Sequence, residues 1–285
     1  MNERLVYACP AAPDAATLVG ILSNRHGMDV ATVTLDVGER ADLEVARGRL
    51  LAAGAVRAHL VDATDSFARD FVRPAFLAGV LGDRGSAVGD LRRALVARTV
   101  VETARHERAG VVAHGITDEA GTPCSKASST RAGLSGAING VPMPLAELAE
   151  SLNTIAGHHG VGRYETIRTW ADGRRARVVR EAPALTVLQQ AREDLEQSLA
   201  EPHLLRLQRD LRAGYLALLH DGLFFTPARR ALDAVVETVL APVSGTVELI
   251  LSEGACVVTG RWALDGRAPV LPSVPTSPHS NLAHA

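Results

Sequence analysis

Four short, β-branched, apolar runs lie in the first part of the chain, at 4–8, 29–35, 56–61 and 110–114, and helical patterns at 15–25, 41–54, 66–80 and 90–108 separate them. No other feature of the sequence constrains the fold as strongly. The runs are continuously apolar rather than alternating, as strands buried on both faces are. Strand and helix in strict alternation therefore predict an α/β fold, a parallel sheet with helices on both faces and right-handed crossovers. Ligands in such sheets bind beyond the carboxyl ends of the strands. Here the loops at 9–16, 36–40 and 114–122 would gather at that end.

The pattern changes after residue 117. The stretch TDEAGTPCSKASSTRAGLSGAI (117–138) is rich in Gly, Ser, Thr and Ala without period, and is the best linker in the chain. NGVPMPLAELAESLNTIAGHHG then reads as a turn, a proline-started helix and a glycine stop. Strand-like stretches at 162–169 and 174–181 precede helical patterns at 184–200, 203–220 and 227–240. Two last strands, 243–251 and 254–260, share a Glu-Gly turn as a hairpin would. The tail RAPVLPSVPTSPHSNLAHA is Pro- and Ser-rich, a composition expected to be disordered. The expected organisation is an α/β domain over 1–120, a linker over 121–137, an α+β domain over 138–264 and a tail over 265–285.

A formal net charge of −2 gives no broad basic surface for nucleic acid or anionic membrane. No apolar run approaches the roughly 20 residues of a membrane span, and the N-terminus lacks a signal-peptide pattern, so the expected location is the cytoplasm. Cys9, Cys124 and Cys256 show no metal or redox spacing. Lys126 is the only lysine, set in an expected loop, so lysine chemistry has no other candidate.

The first strand–helix junction, VYACPAAPDAATLVGIL (6–22), stands where nucleotide-binding α/β proteins place a phosphate loop. Several further stretches, VTLDVGE (33–39), FARDFVRPAF (67–76), VVAHGIT (111–117), GHHGVGRYE (157–165), REAPALTVL (180–188), YLALLHDGLFFTPARRALDA (215–234) and VSGTVELIL with CVVTGR (243–261), resemble argininosuccinate synthase in number and order. That resemblance implies an adenine-nucleotide-hydrolase-like (PP-loop) parallel sheet followed by an α+β synthase domain. It also implies an ATP- and Mg-dependent ligase that adenylates the citrulline ureido oxygen and then displaces AMP with the aspartate nitrogen.

In that family the first turn reads Ser-Gly-Gly-Leu-Asp-Thr-Ser and holds the ATP pyrophosphate. Here the positions are Pro10, Ala11, Ala12, Pro13, Asp14, Ala15 and Ala16. Only Asp14 matches. The prolines lack a backbone donor, Ala11 and Ala12 disfavour positive φ, and Ala15 and Ala16 carry no hydroxyl. Each lost charge-assisted hydrogen bond weakens the site by about 1.5–3 kcal/mol. Asp36, Gly38 and Gly115 stand at the remaining nucleotide positions the resemblance implies.

The resemblance also indicates substrate positions. Arg93 matches a family Arg, while Asp90 replaces a Ser and Gly85 a Tyr. Thr117 matches, but Asp118 and Glu119 follow where the family supplies amide and basic ligands. A family middle section carrying a Pro-Trp-Arg-Glu stretch has no counterpart, and 120–137 bridges the gap. Further on, Arg168 replaces a Glu, Ala176 a Ser and Arg180 a Tyr, while Arg177 is retained. Arg168, Arg174, Arg175, Arg177 and Arg180 lie on two neighbouring expected strands, either as a solvated basic face or as an anion pocket. His158 and His159 have no ligand-spaced acid or cysteine, and no metal site is expected. His114 matches a structural strand-end His, and Cys9 beside the loop is a conceivable nucleophile without further support.

Three functions remain open on the sequence. The expected one is a divergent relative with degenerate ATP and citrulline sites that binds or transforms another small anionic molecule, with no catalytic residue named and no cofactor beyond ATP and Mg by resemblance. The second is retained ligase activity. The third is a non-catalytic structural or regulatory partner, and the family's oligomerising region, matched at 203–240, adds the expectation of a homo-oligomer.

Overall fold

The structure is a computed structural model, describing residues 4–9, 15–38, 42–82, 86–114, 136–139, 141–143, 145–169, 174–240 and 243–263. The linker expected at 121–137, save its last two residues, and the tail at 265–285 lie outside the described residues.

The sheet of the first half is four-stranded and parallel: β1 (Arg4–Ala8), β2 (Asp29–Asp36), β3 (Arg57–Asp62) and β4 (Val111–His114), in the order β3-β2-β1-β4. Helices α1 (Ala15–His26), α2 (Leu43–Ala52) and, after β3, α3 (Thr64–Phe67), α4 (Arg73–Leu77) and α5 (Ser86–Glu107) complete the domain. The pleat explains the unbroken apolar runs. Leu5, Tyr7, Cys9 and Val30 pack with Val19 and Leu50 of α1 and α2. Val6, Ala8, Ala31 and Val33 pack on the other face with Val100 and Ala104 of α5. Successive side chains thus enter opposite cores, and both must be apolar.

The helical pattern at 66–80 is not one helix. Between α3 and α4 the chain makes a π-helical turn over Ala68–Val72. Pro74 in the first turn of α4 cannot donate, and its ring excludes the carbonyl four residues back, that of Asp70. That carbonyl accepts instead from Nη1 of Arg229, at 3.5 Å. The long helix α5 begins at Ser86, four residues ahead of its apolar pattern, and there Ala87 is fully buried.

In the second half a hairpin of β5 (Gly136–Ile138) and β6 (Val141–Met143) occupies a place read from sequence as linker end and turn. Asn139, at φ 53°, takes the left-handed conformation that a tight hairpin needs. Then follow α6 (Leu145–His158), the antiparallel ribbon of β7 (Arg163–Thr169) and β8 (Arg175–Glu181), helices α7 (Pro183–Leu199), α8 (Pro202–His220) and α9 (Pro227–Leu240), and the hairpin β9 (Gly245–Ser252) and β10 (Ala255–Ala263). α6, α7 and β9–β10 share a core built on Leu148, Ala149, Val161 and Val187.

The two halves are not independent. Tyr215, Leu219, Phe224 and Val236 of α8, α9 and their connection enter the same core as Phe71, Phe76, Leu91 and Leu95. Phe71 and Phe224 stack with centroids 4.9 Å apart. Arg192 of α7 donates through Nη1 to the carbonyls of Phe76 and Leu77, at 2.7 and 2.9 Å, tying α7 to the end of α4. At the opposite end of α5, the buried carboxylate of Glu107 accepts from Nη1 of Arg4 (3.2 Å), Nη1 of Arg57 (3.0 Å) and faces Nε2 of His59 (2.8 Å). This pins the end of α5 to the amino ends of β1 and β3.

Candidate functional site at the carboxyl end of the sheet

The chain leaves β1 toward β2 on one side and later returns to β4 on the other, so the topological switch point lies between β1 and β4. The segments that follow these strands carry Ala11, Ala12, Asp14, Gly115 and Thr117, and these five lie outside the described residues. Cys9, at the edge of the first segment, is buried. Its N–H donates to the Val33 carbonyl at 3.1 Å, and its sulfur lies 3.4 Å from the Thr34 hydroxyl. Burial raises the thiol pKa and outweighs the hydrogen bonds that lower it, so the nucleophilic thiolate is disfavoured.

At the carboxyl end of β2, Asp36 and Gly38 form one turn. The Gly38 N–H donates to Asp36 Oδ1 at 2.8 Å, and Gly38 has a φ of 89° that glycine tolerates. The Asp36 carbonyl accepts from Ala63 N–H at 2.8 Å. Opposite Asp36 in the register stands Asp62, whose Oδ1 accepts from the Thr64 N–H at 3.0 Å at the start of α3. Both acids thus shape the loops at this end.

The first turns of α5 reach the same end. Glu107 closes α5 at the amino ends of the strands, and a helix of 22 residues spans about 33 Å. Val37, next to the Asp36 turn, shares a core with Ala87 and Leu91. On this part of α5 sits Asp90, with its side chain only 3% exposed. One of its oxygens, Oδ1, bonds Arg93, the expected substrate residue. The other, Oδ2, lies 2.9 Å from Nδ1 of His220, the last residue of α8. Arg93 was legible as a site candidate, and Asp90 only as the residue that replaces a family Ser. His220 was not, because nothing local in LHDG signals a partner on a distant helix.

The five arginines of the ribbon do not form one face. The register pairs Arg168 with Ala176 and Tyr164 with Arg180, so Arg168 and Arg180 share a face, with Arg174 in the same alternation. Arg175 and Arg177 lie on the other face. There Arg177 pairs with Glu165 at 2.6 Å, and Ile167 is 74% exposed. Tyr164 and Val178, on the face of Arg168 and Arg180, are half-buried. His158 and His159 meet edge to face, 5.6 Å apart, at the end of α6. Among the described residues no group of three His, Cys, Asp or Glu side chains is placed to hold a metal ion, and no helix is long and apolar enough to cross a membrane.

Residues 4–122 match the model of the arginosuccinate synthase N-terminal HUP domain, and residues 114–265 match that of the arginosuccinate synthase C-terminal domain. The chain belongs to the argininosuccinate synthase family. One relative, the argininosuccinate synthase of Brevibacillus brevis, is 28% identical over 352 residues, taking in 91% of this chain and 84% of its own length. Since 91% of 285 residues is about 259, the aligned span includes about 90 positions with no residue from this chain. The parallel sheet is thus the HUP domain of a family member, and α6 through β10 belong to its C-terminal domain.

Proposed function

We propose that this family member binds or transforms a small anionic molecule other than the ATP and citrulline of the family reaction. The observation that carries the reading is the composition of Pro10–Ala16, which follows β1 at the switch point. A phosphate cradle there works through glycine N–H groups and hydroxyls at a helix start. Two prolines and four alanines supply neither positive φ nor hydroxyl donors, so the residues present do not fit ATP. Arg168 and Arg180 support the anionic class. Each stands where the family uses a neutral or acidic citrulline ligand, and they share one face of the ribbon. The same reading places the protein in the cytoplasm and has it assemble with copies of itself.

The test is thermal stabilisation of the purified chain by Mg-ATP, alone and with citrulline and aspartate, beside inorganic phosphate and small carboxylates. Stabilisation by an anion but not by Mg-ATP at several millimolar is the expected result. A shift at sub-millimolar Mg-ATP, or release of AMP with citrulline and aspartate, returns the protein to the ligases. No response to any ligand, with assembly that depends on concentration, makes it a scaffold.

A further inference from the structure

We propose that Tyr215, Arg229 and Asp233 hold one internal water molecule, in a polar site where α8 and α9 close over the π-helical turn of the first half. The proposal is independent of the ligand reading above.

Three side-chain atoms carry the argument. The Tyr215 hydroxyl, Nε of Arg229 and Oδ1 of Asp233 are shut off from bulk solvent, and none has a hydrogen-bond partner among the described residues. Folded proteins partner nearly all such atoms, with protein groups or with ordered water.

The surroundings hold these groups in place. Arg229 and Asp233 lie one turn apart on α9, with Nη2 and Oδ2 paired at 3.0 Å. Nη1 of Arg229 donates to the Asp70 carbonyl at 3.5 Å, and the guanidinium carbon lies 4.3 Å from the Phe224 ring centroid. Tyr215 is 1% exposed and shares a core with Phe71 and Phe224. Asp233 and Arg229 both bear on its hydroxyl, whose pKa rises through burial and then through the Asp233 charge. The Tyr215 hydroxyl bears in turn on the Asp233 carboxyl. The three atoms thus converge on one place without meeting in hydrogen-bond geometry.

Their chemistry defines the occupant. The Arg229 Nε–H only donates, the Asp233 carboxylate oxygen only accepts, and the Tyr215 hydroxyl does either. A cation there would face the guanidinium, and an anion would face the carboxylate. Water suits all three. It accepts from Nε, donates to Oδ1 and shares a third bond with the hydroxyl, which is the usual coordination of a buried water. The Asp70 carbonyl that Arg229 takes is the one that Pro74 frees. The water therefore completes the partners of the arginine that ties α9 to the π-helical turn.

A crystal structure of the full chain, at a resolution that shows ordered water, is the first test. One water oxygen within about 3.2 Å of all three atoms is the expected result. A direct bond between Tyr215 and Asp233 with no water, or an ion at this place, overturns the proposal. Oxygen-17 magnetic relaxation dispersion gives the solution test, because it counts waters held for longer than the protein takes to tumble. Arg229→Met combined with Asp233→Leu replaces the pair by apolar side chains of similar volume, and should remove one long-lived water from the wild-type count. An unchanged count overturns the proposal. The wild-type crystal structure needs no variant, so it decides even where the double variant does not fold.

Discussion

Glu107→Gln is the substitution whose outcome the structure constrains most tightly. The Glu107 side chain is fully buried, and it joins the end of α5 to β1 through Arg4 and to β3 through Arg57 and His59. Glutamine keeps the shape but removes the charge, and turns an amide toward donors where a carboxylate oxygen stood. A hydrogen bond to a charged group contributes about 1.5–3 kcal/mol, and Arg4 and Arg57 are partly solvated, which sets the lower figure for each. Two such bonds lost give a destabilisation of about 3 kcal/mol, which at about 2–4 °C per kcal/mol lowers Tm by roughly 6–12 °C. Urea melts and calorimetry at neutral pH measure it.

The pH dependence gives a second check on Glu107. Burial raises the proton affinity of its carboxyl, but hydrogen bonds and charge from Arg57 and His59 outweigh burial, and the net pKa falls below the ordinary 4.5. The unfolded chain then takes up the proton before the folded one does. The stabilisation is therefore fully present above that ordinary value and is lost as pH falls through the folded one. The gap between wild type and Glu107→Gln should narrow in acid. A gap under about 0.5 kcal/mol at neutral pH, within the range of ordinary surface changes, refutes the reasoning. So does a gap that stays constant into acid.

Two further substitutions and one labelling probe test the fold and the loop. Gly162→Ala places a Cβ 2.7 Å from the Ala182 carbonyl oxygen and from Pro183 Cα, at a φ of +78°, and should lower stability by about 2 kcal/mol or more. Gly48→Ala, on exposed helix with nothing within 4 Å, should instead raise stability by up to about 1 kcal/mol, and the paired urea melts decide between them. Cys9 should resist iodoacetamide in the native chain and label on unfolding, read by mass spectrometry of its peptide. Rapid native labelling would show that the thiol is neither buried nor raised in pKa as the geometry requires.

What could be read from the residues in order is what depends on near neighbours. The strands β1 to β4, the helices between them and the closing hairpin all announce themselves through periodicity within a dozen residues, because burial on a helix or strand repeats with its own geometry. The turn at Glu253-Gly254 and the family resemblance were likewise local matters. The β5–β6 hairpin was missed because its strands are three residues long, too short to carry a period. Pro74 marked a disturbance in the helix, but only the carbonyl of Asp70, taken by Arg229 of α9, shows how the fold resolves it.

The candidate site divides the same way. Composition alone showed that Pro10–Ala16 is poor in the donors of a phosphate cradle, while the places of Arg168 and Arg180 came only from the resemblance to the family. Which arginines share a face needed the register of β7 and β8, since a shift of one residue would exchange the sets. That Asp90 meets His220 needed α8 packed against α5, through Tyr215, Leu219 and Leu91 in one core. Local sequence determines which elements form, because backbone periodicity is a short-range property. The pairing of charges between elements is decided only when apolar faces distant in the chain are buried together.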